Sequence, residues 1–191
     1  MKKLIASLTS VLVLMSACTS SDVADPQETQ SQQITACDTL AQETAQTQVA
    51  TVEGSLPNIS VDCLDGTSKV DLARLRGPLI IPVWASWCAP CAEEMPIINE
   101  FQNYYSNQVK VLAYALLDEN SQGVAALENW GVAVTSLADP EGEFRSELSI
   151  QAPPTTLFIN ENGQVVYRHF GAIKSLTELK SLVARHLLVE L

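Results

Sequence analysis

Trp84-Ala85-Ser86-Trp87-Cys88-Ala89-Pro90-Cys91, or WASWCAPC, ends an apolar run with two cysteines separated by two residues. Three readings compete for such a pair: half of a metal site, a structural bridge, or a reactive dithiol. A closed zinc site needs four Cys or His ligands. The histidines, His169 and His186, lie far along the chain and outside any ligand spacing, so only all four remaining cysteines together could supply one. As a staple the pair is poor, because so short a ring removes little loop entropy from the unfolded chain and is easily reduced. A reactive dithiol accounts for more. Leu79 to Ala85 has the length of a buried strand, and a helix opening at Cys88 would direct unpaired N–H groups and the positive end of its dipole at the sulfur. Cys91, one turn inward, is placed to resolve a mixed disulfide on Cys88. Trp87 supplies an apolar rim, and Ala89 and Pro90 separate the thiols without adding charge, which leans toward a reductant.

The rest of the chain frames this pair. The 191 residues are 47% apolar with a net charge of -11. Every aromatic residue lies at or beyond Trp84, so the core is C-terminal. The acidic balance excludes a phosphate-binding stripe, and nucleic acid with it. Lys2 and Lys3 precede an apolar stretch, Leu4 to Met15, too short to span a bilayer. It ends in Met15-Ser16-Ala17-Cys18, which resembles a lipobox with Cys18 as the acylated residue; an ordinary signal peptide or an uncut anchor is the alternative. Residues 1–17 are expected to be a lipoprotein signal peptide, 18–34 a polar tether, and 35–191 the folded domain with an N-terminal extension. Losing Lys2 and Lys3 takes the charge from -11 to -13. Export places the domain in an oxidising compartment. With Cys88 and Cys91 paired locally, Cys37 and Cys63 remain for a structural disulfide; two free thiols or a bridge to another chain are the alternatives.

Local signals give the order of elements. Residues 35–51 are helix-compatible. Leu56 to Leu64 reads as a strand ending at the Asp65-Gly66 turn, and Asp71 as the cap of a short helix, DLARL. A helix from Cys88 to about Ser106 should be kinked by Pro96. Val109 to Leu117 is a strand, Ser121 caps a helix to about Trp130, and Val132 to Ala138 is a third strand. A turn at 139–142 and a short helix around Phe144 to Leu148 follow. Thr155 to Ile159 and Val165 to Phe170 form a hairpin about Asn160 to Gly163. Ser175 caps a final helix to about Leu188. The expected class is α/β, a mixed central sheet with helices on both faces.

WASWCAPC followed by Glu-Glu-Met-Pro resembles the active-site strand and helix of thioredoxin-fold oxidoreductases, in the membrane-tethered TlpA/ResA form. The likeness runs from about Leu56 to Leu188 and includes LPNISVDCLDG, DLARLRG and APPTTLFINENGQVVYRHFG. It implies a thioredoxin-like fold and thiol–disulfide exchange with protein thiols or disulfides, without cofactor or metal. It further implies a membrane redox partner, a monomer, and a role as reductant in cytochrome c maturation or disulfide handling. It makes Pro154 a cis-proline facing the dithiol. Glu94, on the same helix face as Cys91, becomes the proton handler, with Glu93 a solvated neighbour. Two departures stand out. Pro82 occupies a position where thioredoxin has a buried Asp, and predicts a bulge or an edge. Pro153 precedes the cis-proline and lacks an N–H for a partner strand. A non-catalytic binding module and a thiol peroxidase are the alternatives; Ala85 stands where the peroxidase nucleophile has a Thr three residues earlier.

Overall fold

The structure is a computed structural model and describes residues 37–50 and 52–191. The stretches expected to be a signal peptide and a tether, with Cys18, lie outside the described residues. Residues 37–46 are helical (α1). The strands are β1 (Ser60–Cys63), β2 (Lys69–Asp71), β3 (Leu79–Trp84), β4 (Lys110–Val111), β5 (Ala113–Leu116), β6 (Ser136–Asp139), β7 (Thr155–Ile159) and β8 (Val165–Phe170). The helices are α2 (Ala89–Tyr105), α3 (Asn120–Asn129) and α4 (Leu176–Leu187). One mixed sheet runs β2-β1-β6-β5-β3-β7-β8, with β4 also paired to β3. Helices flank it, which is the thioredoxin-like architecture.

Alternation along the strands builds two core layers. Ile80 and Trp84 of β3 and Phe158 of β7 point toward α2, α3 and α4, meeting Met95, Ile98, Leu127, Leu179 and Val183. Leu79, Ile81, Val83, Leu157 and Ile159 point the other way, toward α1 and the segment around Leu72 and Leu75. Strand β3 is buried at every position, and burying each such large apolar side chain stabilises by about 1.5–3 kcal/mol. Helix α4 has the clearest local code. The Ser175 hydroxyl accepts from the Glu178 N–H at 3.1 Å, while Glu178 accepts from the Lys174 N–H at 2.8 Å, a capping arrangement worth about 1 kcal/mol. Helix α2 begins directly after Cys88 with Pro90 in its first turn, where the missing N–H costs nothing. It continues through Pro96 to Tyr105.

Pro82 corrects an expectation. It is neither at an edge nor in a bulge: β3 is central and pairs with β7 in unbroken register from Leu79↔Ile159 to Val83↔Thr155. The interruption appears in the partner strand instead. β3 pairs in parallel with β4 at Ile80↔Val111 and with β5 at Val83↔Tyr114, and Leu112 between them is not in strand. The Leu112 N–H reaches the Ile80 carbonyl at 3.1 Å. The next bond of a parallel ladder would be donated by residue 82, and proline has no N–H to give.

Smaller corrections have local causes. The first strand is shorter than expected, and β2, absent from the sequence reading, pairs with it. DLARL is a 3-10 turn over Leu72–Arg74, and Asp71 makes no capping bond. Its carboxylate instead accepts from the Ser60 hydroxyl and pairs with Arg74 at 3.2 Å. Helix α3 starts two residues early: its cap is Glu119, whose carbonyl accepts from the Gln122 and Gly123 N–H groups, leaving Ser121 inside the helix. The third strand starts at Ser136, not Val132. Residues 144–148 form turns, drawn together by Arg145 bonding the carbonyls of Ile150 and Gln151. Gly77 has a packing reason: a Cβ there would lie 2.0 Å from the Ile159 carbonyl oxygen.

Candidate functional site

The site lies at the C-terminal end of β3. Antiparallel pairing brings the start of β7 to the same place, with Thr155 opposite Val83. The chain leaves β3 at Trp84, turns through Ala85-Ser86-Trp87 and enters α2. Cys88 is the N-cap, extended at φ -93° and ψ 97°. Its carbonyl accepts from the Cys91 N–H at 3.0 Å and the Ala92 N–H at 3.3 Å, so the helix begins beneath its sulfur. Cys88 and Cys91 are disulfide-bonded, with Cα atoms 5.2 Å apart. Cys88 is 5% exposed and Cys91 not at all. The outer cysteine is thus Cys88, though it is far more covered than an open nucleophile.

Two features hold this turn, and sequence reasoning missed both. The buried Asp118 carboxylate accepts from the Ser86 N–H and, at 2.7 Å, from the Ser86 hydroxyl. The Trp87 indole N–H donates to the Leu117 carbonyl at 2.9 Å. Leu117 has a φ of 53°, a strained conformation for a bulky residue. Trp87 is 58% exposed and Leu117 40%, so an apolar pair flanks the cysteines. A polar Asp directly after an apolar strand, Leu116-Leu117-Asp118, was the one sequence signal available. Ala89 and Pro90 are exposed between the cysteines. Trp84, by contrast, is a core residue, its indole N–H donating to Ser136 at 3.1 Å and its ring edge-on to Trp130.

Glu94 lies one helical turn beyond Cys91 and is completely buried, while Glu93 is exposed and pairs with Lys174 at 3.2 Å. One Glu94 oxygen accepts from the Ile173 N–H at 3.0 Å. Burial raises its pKa from 4.5 to about 7, opposed by that N–H, by Thr156 and by Lys174. The Pro153–Pro154 bond is cis. Pro154 is buried, and its carbonyl accepts from the Gly171 N–H at 3.0 Å. That bond starts the segment carrying Ile173 to Glu94, so the Pro154 loop, residues 171–174 and α2 converge at one end of the sheet. Cys37 and Cys63 lie elsewhere. They are disulfide-bonded across 26 residues with Cα atoms 6.4 Å apart, both buried, fastening α1 to β1. Among the described residues no group of His, Cys, Asp and Glu could hold a metal ion, and no helix is long and apolar enough to cross a membrane.

Comparison with known proteins fits this geometry. The Redoxin family model matches residues 51–184. The chain belongs to the Redoxin family. Among curated relatives, the thiol:disulfide interchange protein DsbE of Xylella fastidiosa (strain 9a5c) is 36% identical over 122 residues, 61% of this chain and 60% of that protein. The thioredoxin-like protein YneN of Bacillus subtilis is 27% identical over 121 residues, 61% of this chain and 70% of its own length. The chain thus spans about three fifths of the DsbE relative. Among solved structures, MTB dsbF in its mixed oxidized and reduced forms superposes with a TM-score of 0.62 at 26% identity, covering 71% of this chain and 98% of that one.

Proposed function

We propose that this Redoxin-family protein is an extracytoplasmic thiol–disulfide oxidoreductase, anchored through acylated Cys18, that exchanges electrons with cysteine pairs of other proteins. The observation that carries the reading is the position of the Cys88–Cys91 disulfide: a helix N-cap at the open end of the sheet, with a buried carboxylic acid one turn beyond. In the reducing direction, the Cys88 thiolate attacks a partner disulfide. A mixed disulfide forms and one partner sulfur leaves as thiolate. Cys91 then gives its proton to the Glu94 carboxylate and attacks the Cys88 sulfur. The Cys88–Cys91 disulfide closes, the second partner thiolate leaves, and two electrons have passed to the partner. With a pKa near 7, Glu94 can both take and return a proton at neutral pH. Trp87 and Leu117 give the partner chain an apolar seat, and Ala89, Pro90, Pro153 and Pro154 bound the approach. A membrane redox partner would re-reduce the dithiol. A reducing role in cytochrome c maturation or disulfide handling suits the uncharged Ala89-Pro90 spacer.

An insulin-reduction assay with dithiothreitol tests the activity. Turnover that vanishes in Cys88→Ser supports it, and an inactive wild type would make the domain a tethered binding module. Peroxide consumption through Cys88 would favour a thiol peroxidase instead.

A further inference from the structure

Among the described residues, three buried side-chain polar atoms lack a hydrogen-bond partner: Glu94 Oε2, Thr156 Oγ1 and Arg168 Nε. The first two belong to one place. Thr156 lies in β7 and is completely buried. Phe158, two residues on, packs with Cys91, Met95 and Ile173, whereas Leu157 and Ile159 pack on the opposite face. Alternation therefore puts Thr156 on the face beneath α2, where Glu94 projects. Its cross-strand neighbour is Pro82, on the same face as Ile80 and Trp84 and without a polar side-chain atom. Thr156 is among the groups that favour the charged form of Glu94, although no formed hydrogen bond satisfies either Oγ1 or Oε2. The adjacent Thr155 hydroxyl is already committed, donating to the Ala152 carbonyl at 2.7 Å.

The geometry points to Thr156 as the positioning residue for Glu94, its hydroxyl partnering Oε2 in both protonation states. Oε1 faces the Ile173 N–H, which can only donate, so a proton on Glu94 belongs on Oε2. A hydroxyl is the group that suits such an atom: it donates to the carboxylate and, after rotating, accepts from the acid. An amide N–H could serve only the first state and a carbonyl only the second. A buried carboxylate oxygen left without a partner would be costly. Thr156 thus fixes which oxygen meets the proton and how tightly it is held. The inference rests on the reading of Glu94 as proton acceptor, but it is tested on Glu94 itself.

The experiment is a carbon-13 carboxyl NMR titration of Glu94 in the oxidised protein. Thr156→Val should raise the Glu94 midpoint by about one pH unit, the scale expected for a hydrogen bond to a charged group. Thr156→Ser should return it to the wild-type value, and Thr155→Val should leave it unmoved. If Thr156→Val does not fold, Thr156→Ala serves the same purpose. A midpoint unchanged in the Val or Ala variant, or shifted equally in the Ser variant, overturns the assignment. The pH–rate profile of thiol exchange separates the two ideas. A displaced NMR midpoint with an undisplaced rate profile supports Thr156 and removes Glu94 from the proton path.

Discussion

The molecule carries two disulfides in opposite settings. Cys37–Cys63 joins residues 26 apart, from α1 to the end of β1, where Cys63 sits opposite Leu137 of the antiparallel β6. Both cysteines belong to the buried apolar cluster that includes Val61, Val70 and Leu72. Cys88–Cys91 joins residues three apart where a strand turns into a helix. The first closes a loop long enough to remove about 3 kcal/mol of unfolded-chain entropy, and the second removes far less. Both bridges have a cysteine at the described start of a helix, Cys37 at α1 and Cys88 at α2, but the second has an exposed indole alongside and a buried carboxylic acid one turn away. What separates the two bridges is thus the size of the ring, the exposed surface beside the sulfurs and the group that can take a proton. Burial does not separate them, since all four cysteines are largely covered.

The largest expected effect is on exchange. Cys88→Ser should reduce insulin reduction to background, and Cys91→Ser should accumulate a mixed disulfide through Cys88. Trapping confined to Cys88→Ser would reverse the two roles. Replacing both Cys37 and Cys63 by Ser should do the opposite, costing about 3 kcal/mol in urea unfolding while exchange persists. Loss of exchange in a folded double variant would break the division of labour.

Glu94 sharpens the contrast through pH. Its folded pKa, about 7, lies above the ordinary 4.5, so the native state holds this proton more tightly than the unfolded chain. Stability from this group is present below pH 4.5, declines as pH rises through 7 and is lost above it, a fall of about 3 kcal/mol. Glu94→Gln should abolish that decline and slow exchange near neutral pH. Unfolding curves for the variant and wild type that fall in parallel between pH 4.5 and 8 would contradict the raised pKa. The smallest effect belongs to the rim. Trp87→Ala should raise KM for a protein substrate several-fold with kcat little changed, because it removes apolar contact area without touching the sulfurs.

Much of this was legible in the sequence, for reasons that differ by residue. The hairpin strands and α4 were, because Asn160 to Gly163 and Ser175 carry their turn and cap chemistry locally. Glu94 was legible in part: its spacing put it on the helix face of Cys91, but its complete burial follows from how that face packs, beside Met95, Ile98 and Phe101. The consequence of Pro82 was not, because a missing N–H is felt by whichever strand pairs there, and Leu112 is thirty residues away. Asp118 was hidden for the same reason. Its role depends on Ser86, which only the parallel pairing of β3 and β5 brings near. Ser121 misled because a serine inside a first turn looks like a cap until the backbone bonds of Glu119 are known.

The central claim, that the two disulfides divide reactivity from structure, is tested most directly by one titration. The oxidised protein is equilibrated in graded glutathione redox buffers, quenched with an alkylating reagent, and each cysteine's modification is read by mass spectrometry. The account predicts that Cys88 and Cys91 become alkylated together while Cys37 and Cys63 stay protected, with the latter pair opening only in far more reducing buffer or on unfolding. Reduction of Cys37–Cys63 first, or of both pairs in a single step in the folded protein, would contradict it.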